Sequence, residues 1–228
     1  MKYMGSKARH TKELLSVILR VRQPTQLFVE PFVGGANILA EVTGPRLGAD
    51  IDHDLIALWQ AVSSGWIPPR VFTEEQYKHI KYETTSPLKG YAAFALSYGG
   101  KKFGGWRRDR THTRNYADEA YRNAQIQFPK LRGVKFRCCE YSTLVIPHGS
   151  VVYCDPPYAH TTRYTEKFDH TKFWVWCRET AKMNVVFVSE YSAPPDFVCV
   201  WEKAVTSSLT ANTGGKRATE RLFIVGRV

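Results

Sequence analysis

Apolar positions change period several times along the chain. Leu14, Leu15, Ile18 and Leu19 recur at helical spacing and predict a helix within residues 10–20. Leu27-Phe28-Val29 is a short apolar run that reads as a strand. It enters a glycine-rich turn, Glu30-Pro31-Phe32-Val33-Gly34-Gly35-Ala36-Asn37. A helix is expected over about 37–42, then a second strand over 46–49 that stops at Asp50. Asp54, Leu55, Ile56, Leu58, Ala61 and Val62 predict a helix over 53–63. Strand signals return at 134–138, 151–154, 184–189, 197–201 and 222–225, with a helical pattern over 173–183. Strands alternating with helices give an α/β fold with a mostly parallel sheet covered on both faces. The last two strands are joined without a helix, which predicts an antiparallel pair. Residues 65–132 differ in character, with two moderately helical stretches and a Gly/Lys/Arg/aromatic block over 98–110. They read as an insert between 1–64 and 133–228.

Three of these strands run into an acid at their carboxyl end: Glu30, Asp50 and Asp155. A fourth runs into Ser189-Glu190. Ligands of open α/β sheets bind at the carboxyl ends of strands. A single such acid is more often a helix N-cap. Four at one edge favour a site.

Composition narrows the partners. The 228 residues are 43% apolar and 23% charged, which excludes a disordered tail, a collagen-like fibre and a disulfide miniprotein. No apolar run reaches membrane-spanning length, and the opening residues carry no apolar signal segment, so a cytoplasmic location is expected. Lys and Arg number 32 against 21 Asp and Glu, a net charge of +11. Such a surplus calls for a polyanion, nucleic acid first and anionic membrane second. The five cysteines lack a C-x-x-C spacing, and Cys139, Cys154 and Cys199 lie in or beside apolar runs, so they read as reduced core residues. His10, His79, His112, His148, His160 and His170 show no metal spacing, and no metal is expected.

Two motifs carry the chemistry. The Gly34-Gly35 turn follows a strand and lets backbone approach a ligand, but it has neither the G-x-G-x-x-G spacing nor a phosphate-binding lysine. A nicotinamide dehydrogenase is disfavoured for that reason. Asp50, at the end of the next strand, suits the ribose hydroxyls of a nucleoside cofactor. Asp155-Pro156-Pro157-Tyr158 follows the apolar strand Val151-Val152-Tyr153-Cys154. Its prolines fix φ and leave carbonyl oxygens as rigid acceptors. A carboxylate beside a proline carbonyl accepts both hydrogens of an exocyclic amine, and the tyrosine ring offers a stacking surface for a base. Lys101, Lys102, Trp106, Arg107, Arg108, Arg110 and Arg114 interleave charge with aromatics and glycine, a pattern suited to phosphates and bases.

Asp155–Tyr158 resembles the D-P-P-Y motif of amino-directed DNA methyltransferases, and Val29–Gly35 resembles their cofactor loop. Lys2-Tyr3-Met4-Gly5-Ser6-Lys7 is similar to the K-[WY]-x-G-[GS]-K opening of the Dam-type adenine methyltransferases. Gly48–Ile56 resembles their A-D-I-N-x-D-L segment, and Asn212-Thr213-Gly214-Gly215-Lys216-Arg217 before Glu220 resembles their ending. The resemblance spans nearly the whole chain in the family's motif order. It implies a Rossmann-like fold that uses S-adenosylmethionine to methylate the N6 amine of a flipped adenine in double-stranded DNA. Residues 65–132 would then be the target-recognition region of a compact bacterial or phage member, with restriction-modification among its roles. Tyr3, Lys7, Glu30, Phe32, Gly34, Asp50 and Asp155 would contact the cofactor. Asp155, Pro156 and Tyr158 would hold the adenine. Lys2, the basic block, Lys216 and Arg217 would touch DNA. Ala36 replaces a second loop glycine of many members, so a negative φ is expected there. Ser189-Glu190-Tyr191 falls near the target pocket. An RNA adenine methyltransferase and a non-catalytic DNA-binding regulator are the competing readings.

Overall fold

A computed structural model describes residues 1–109, 111, 113–158, 168–206 and 217–226, the side chains of Thr206 and Arg217 excepted. Seven strands form one sheet: β1 (Phe28–Glu30), β2 (Arg46–Asp50), β3 (Lys135–Cys138), β4 (Val151–Cys154), β5 (Val185–Glu190), β6 (Phe197–Thr206) and β7 (Arg217–Val225). Their spatial order is β3-β2-β1-β4-β5-β7-β6. The first five in that order run parallel, and β7 lies antiparallel to both β5 and β6. The expected terminal antiparallel pair is present. The described α-helices are α1 (Thr11–Ile18), α2 (His53–Ser63), α3 (Glu74–Ile80), α4 (Pro87–Ala95), α5 (Tyr116–Gln127) and α6 (His170–Ala181).

Successive strand residues point to opposite faces, and the two faces carry separate apolar cores. Phe28, Val151 and Tyr153 join Leu14, Ile18, Leu39, Leu58 and Trp59 on one side. Val29, Val152 and Cys154 join Leu47, Phe173, Val186 and Val188 on the other. Residues 65–132 pack into the first core through Phe72, Tyr77, Ile80, Tyr91, Phe128 and Leu131. Helix α4 lies so close to α2 that a Cβ on Gly90 would meet the Asp54 carbonyl oxygen at 2.1 Å.

Several elements differ from their sequence-based bounds. The helix expected over 37–42 is a single 3-10 turn, Leu39–Glu41, because Val42 is already extended and Gly44 turns the chain into β2 at φ +79°. Residues 65–132 hold three α-helices rather than two. Of these, α5 buries only the small or polar Ala117, Ala120, Ala124 and Gln127, a face that apolar periodicity underweights. Strands β6 and β7 are longer than expected. Their extensions pair opposite charges across the ladder, Glu202 with Arg221 and Lys203 with Glu220, instead of apolar residues. Cys154 is a core residue as expected, whereas Cys199 is exposed and Cys139 half-buried. Cys199 sits at an irregularity in the edge strand β6, where the register slips before Trp201.

Candidate functional site

Strands β2, β1, β4 and β5 are consecutive parallel neighbours, so their carboxyl ends bring Asp50, Glu30, Asp155 and Glu190 to one edge. None of these four is the N-cap of a described α-helix. The cap of α2 is Asp52, which accepts from Leu55 N at 3.0 Å. Glu30 is 3% exposed and accepts a hydrogen bond from Leu39 N at 3.1 Å. Burial, reinforced by the nearby Asp155 charge, pushes its pKa well above the ordinary carboxylate range. Asp50 accepts from Gly34 N at 3.0 Å and Asp52 N at 3.1 Å. Burial still outweighs those bonds and raises its pKa to about 6.

The glycine turn between β1 and the 3-10 turn is held from both sides. Trp59 Nε1 donates to the Gly34 carbonyl at 2.9 Å, and Gln127 Nε2 donates to the Gly35 and Ala36 carbonyls at 2.8 and 3.1 Å. A Cβ on Gly34 would sit 2.8 Å from the Tyr3 ring, and one on Gly35 would sit 2.8 Å from Tyr3 Cβ. Tyr3 therefore lies directly on the loop, its ring 5.2 Å from that of Phe94. Ala36 takes φ +51°, against the negative φ expected from its side chain. The residue is fully buried, its N–H donates to Val33 O at 2.7 Å, and the surrounding contacts hold it in a conformation that costs an L-residue about 1–2 kcal/mol. Phe32 turns the other way, packing on Tyr141, Phe168 and Phe173 at 5.2–5.8 Å. Beside Asp50, Ile51 is 70% exposed. An exposed apolar side chain next to a half-buried carboxylate acceptor and a glycine turn fits a nucleoside. Sequence reading passed over Ile51 as the middle of a motif, although its place after the acid was the available signal.

The Asp155-Pro156-Pro157-Tyr158 segment leaves β4 at the same edge. Lys7 Nζ lies 2.9 Å from Asp155 Oδ1 and 3.7 Å from Glu220 Oε2, and stands 4.3 Å from the centroid of the Tyr158 ring. Tyr158 Oη donates to Glu220 Oε2 at 2.9 Å, and its ring meets Tyr191 edge-on at 4.7 Å. Tyr158 is 8% exposed but belongs to neither apolar core. Burial acts to lower the pKa of Lys7, yet the two carboxylates more than reverse this and hold it above its ordinary value. Burial raises the pKa of Asp155, and Lys7 offsets only part of that. Lys7, expected on the cofactor, thus lies on the D-P-P-Y aspartate and over the face of its tyrosine. Glu220 joins the cluster from β7, a placement that motif spacing alone does not reveal. Glu190, 2% exposed, accepts from Tyr191 N at 2.7 Å.

The basic block is largely neutralised from within. Lys102 reaches both Asp52 and Asp54 at 2.8 Å. Arg107 is 8% exposed, held by Glu119 at 3.2 Å and stacked over Tyr116 at 4.2 Å. A buried guanidinium requires such partners, and this one organises the block internally. Arg108 pairs with Glu74, Arg114 pairs with Glu119 at 2.7 Å, and Trp106 packs on Tyr77 at 5.5 Å. Lys2 and Lys101 are exposed. Arg110 and Asn212–Lys216 lie outside the described residues, and for Arg217 only the backbone, at the start of β7, is described. Among the described residues no cluster of His, Cys, Asp and Glu could hold a metal ion, and no helix is long and apolar enough to cross a membrane.

No family model matches the sequence, and no curated protein is similar to it at the sequence level. Solved structures do match the fold. The rRNA methyltransferase aviRa from Streptomyces viridochromogenes superposes with a TM-score of 0.50 at 12% identity, covering 98% of this chain and 86% of that one. A candidate RNA methyltransferase from Pyrococcus horikoshii gives 0.46 at 9% identity, covering 97% and 87%. A candidate methyltransferase from Escherichia coli gives 0.41 at 11%, covering 99% and 90%. The chain has the Rossmann-like fold of S-adenosylmethionine-dependent methyltransferases, a seven-stranded, mostly parallel sheet with β7 antiparallel.

Proposed function

We propose that the protein transfers a methyl group from S-adenosylmethionine to the N6 amine of an adenine extruded from double-stranded DNA. The observation that carries this reading is the Lys7–Asp155–Tyr158–Glu220 cluster, set at the same sheet edge as the Gly34 turn and Asp50. S-adenosylmethionine, when bound, supplies an electrophilic methyl on a sulfonium. Asp50 would accept from its ribose hydroxyls, Ile51 would give its adenine an apolar shelf, and Tyr3, Glu30 and the Gly34–Gly35 turn would line the remainder.

The chain's own residues do the rest. The N6 lone pair of adenine is delocalised into the ring, so the amine is a poor nucleophile until it is oriented. The Asp155 carboxylate and the Pro156 carbonyl accept its two hydrogens, favouring a more tetrahedral nitrogen with its lone pair aimed at the methyl. Lys7 already occupies one of these acceptors. An entering amine takes over that acceptor, and Lys7 keeps Glu220, so its buried charge retains a partner. The same shift uncovers the Tyr158 face for the adenine ring. Glu220 anchors the Tyr158 hydroxyl and fixes the plane of the platform. Stacking there offsets part of the few kcal/mol that base extrusion costs.

The D-P-P-Y resemblance, aspartate included, favours adenine in DNA. Expression in a methylation-free bacterial host, followed by sequencing for modified adenine, is expected to show N6-methyladenine in a defined DNA context. Purified protein offered duplex DNA and structured RNA in parallel should methylate the DNA. Methylation of RNA alone, or nucleic-acid binding with no transfer to either, would overturn the reading.

A further inference from the structure

Among the described side chains, most cations expected to face DNA are paired with acids, which raises the question of where positive charge is free. A groove of about 740 Å³ runs along β3, and none of its lining residues belongs to the Asp155 cluster. Strand β3 is the sheet's edge, and Lys135 and Arg137 pair with Leu47 and Ala49, which places them on the sheet face of Leu47. The connection from β3 to β4 contains only a 3-10 turn, Tyr141–Thr143, so it lays no α-helix over this face of β3. The groove floor is apolar, with Leu47 and Leu144 among its residues, and no Asp or Glu lines it.

Arg132, Lys135 and Arg137 line the groove, all three exposed, and none forms an ion pair among the described residues. Arg46 backs them with a guanidinium fixed by the Leu39 and Lys130 carbonyls at 3.1 and 2.8 Å. Like charges left unneutralised on one face repel one another, a cost that a polyanion removes. Two strand residues on one face stand roughly 7 Å apart, which spreads these charges along a line rather than gathering them at a point. The groove has no aromatic lining residue, so it lacks the stacking platform of a base reader.

From this juxtaposition we infer that the β3 groove grips the sugar–phosphate backbone of the duplex DNA substrate away from the target base, independently of sequence. The inference rests on the proposed nucleic-acid substrate but not on methyl transfer. The test compares wild type with the triple variant Arg132→Ala/Lys135→Ala/Arg137→Ala by fluorescence anisotropy on a labelled adenine-containing duplex across a salt series. A second triple variant, Lys81→Ala/Lys172→Ala/Lys182→Ala, removes the same charge elsewhere on the surface. The groove variant is expected to bind about tenfold or more weakly, with the slope of log K against log salt reduced by roughly 2 to 3, while the control variant stays close to wild type. Equal losses in both variants, or an unchanged slope in the groove variant, would overturn the inference. Wild-type methylation of a duplex that the groove variant binds unchanged would sink the groove alone. Groove-dependent binding without methyl transfer would sink the proposed chemistry alone.

Discussion

Asp50 links a single side chain to a measurable pH dependence. Its carboxyl is raised to about 6 by burial, from an ordinary value of 3.8. The folded state therefore holds the Asp50 proton more tightly than the unfolded chain. This group's contribution to stability is full below about 4 and is lost as pH rises through about 6. Cofactor binding runs in the opposite sense, because ribose hydroxyls donate to the ionised form. Titration calorimetry should show S-adenosylmethionine affinity rising through pH 6, by up to tenfold per unit below it, and Asp50→Asn should abolish that dependence. A flat pH profile would remove Asp50 from the cofactor site. Ala36 gives a second test. At φ +51° and fully buried, it has no room for a branched side chain. Ala36→Val should cost more than about 2 kcal/mol in urea unfolding, from added strain and overpacking together. The four strand-end acids were legible in the sequence because each lies where an apolar run stops. The Lys7 and Glu220 contacts with the D-P-P-Y segment were not, because they join residues from distant parts of the chain through the tertiary fold.

Among the elements, the α2–α4 crossing makes the sharpest prediction. Gly90 lies inside α4, where alanine ordinarily stabilises a helix by about 1 kcal/mol. Here an added Cβ would strike the Asp54 carbonyl at 2.1 Å, which only backbone movement can relieve. Gly90→Ala should therefore destabilise, by about 2 kcal/mol or more in chemical denaturation. A stabilised variant would show that the helices do not cross this closely. The same elements mark how far apolar periodicity carries. It found α2 to the residue, since Leu55, Ile56, Leu58 and Val62 are strongly apolar. It gave two helical stretches where the described part of 65–132 holds three, and it shortened β6 and β7, whose outer halves include charge pairs.

For the whole molecule, alternating strands and helices predicted the α/β class and the antiparallel end, and the sheet order β3-β2-β1-β4-β5-β7-β6 realises both. This topology turns four separate acids into one edge. Positive charge is partitioned more finely than its total of +11 indicates. Residues 98–114 spend most of theirs on ion pairs, whereas the β3 cations form none among the described residues. Glu220 ties the sheet's antiparallel end to the edge proposed for catalysis. Glu220→Gln should lower kcat for methyl transfer by about tenfold, with S-adenosylmethionine affinity within about twofold of wild type, because the loss falls on the orientation of Tyr158 and Lys7. A matched drop in cofactor affinity would place Glu220 in the cofactor pocket instead.

The most direct test of the central claim is nucleoside mass spectrometry of duplex DNA incubated with methyl-labelled S-adenosylmethionine and either wild-type protein or Asp155→Asn, each first shown to be folded. The account predicts labelled N6-methyl-2′-deoxyadenosine from the wild type and a loss of at least about a hundredfold in Asp155→Asn. Label on another base or atom, or near wild-type transfer by Asp155→Asn, would contradict it.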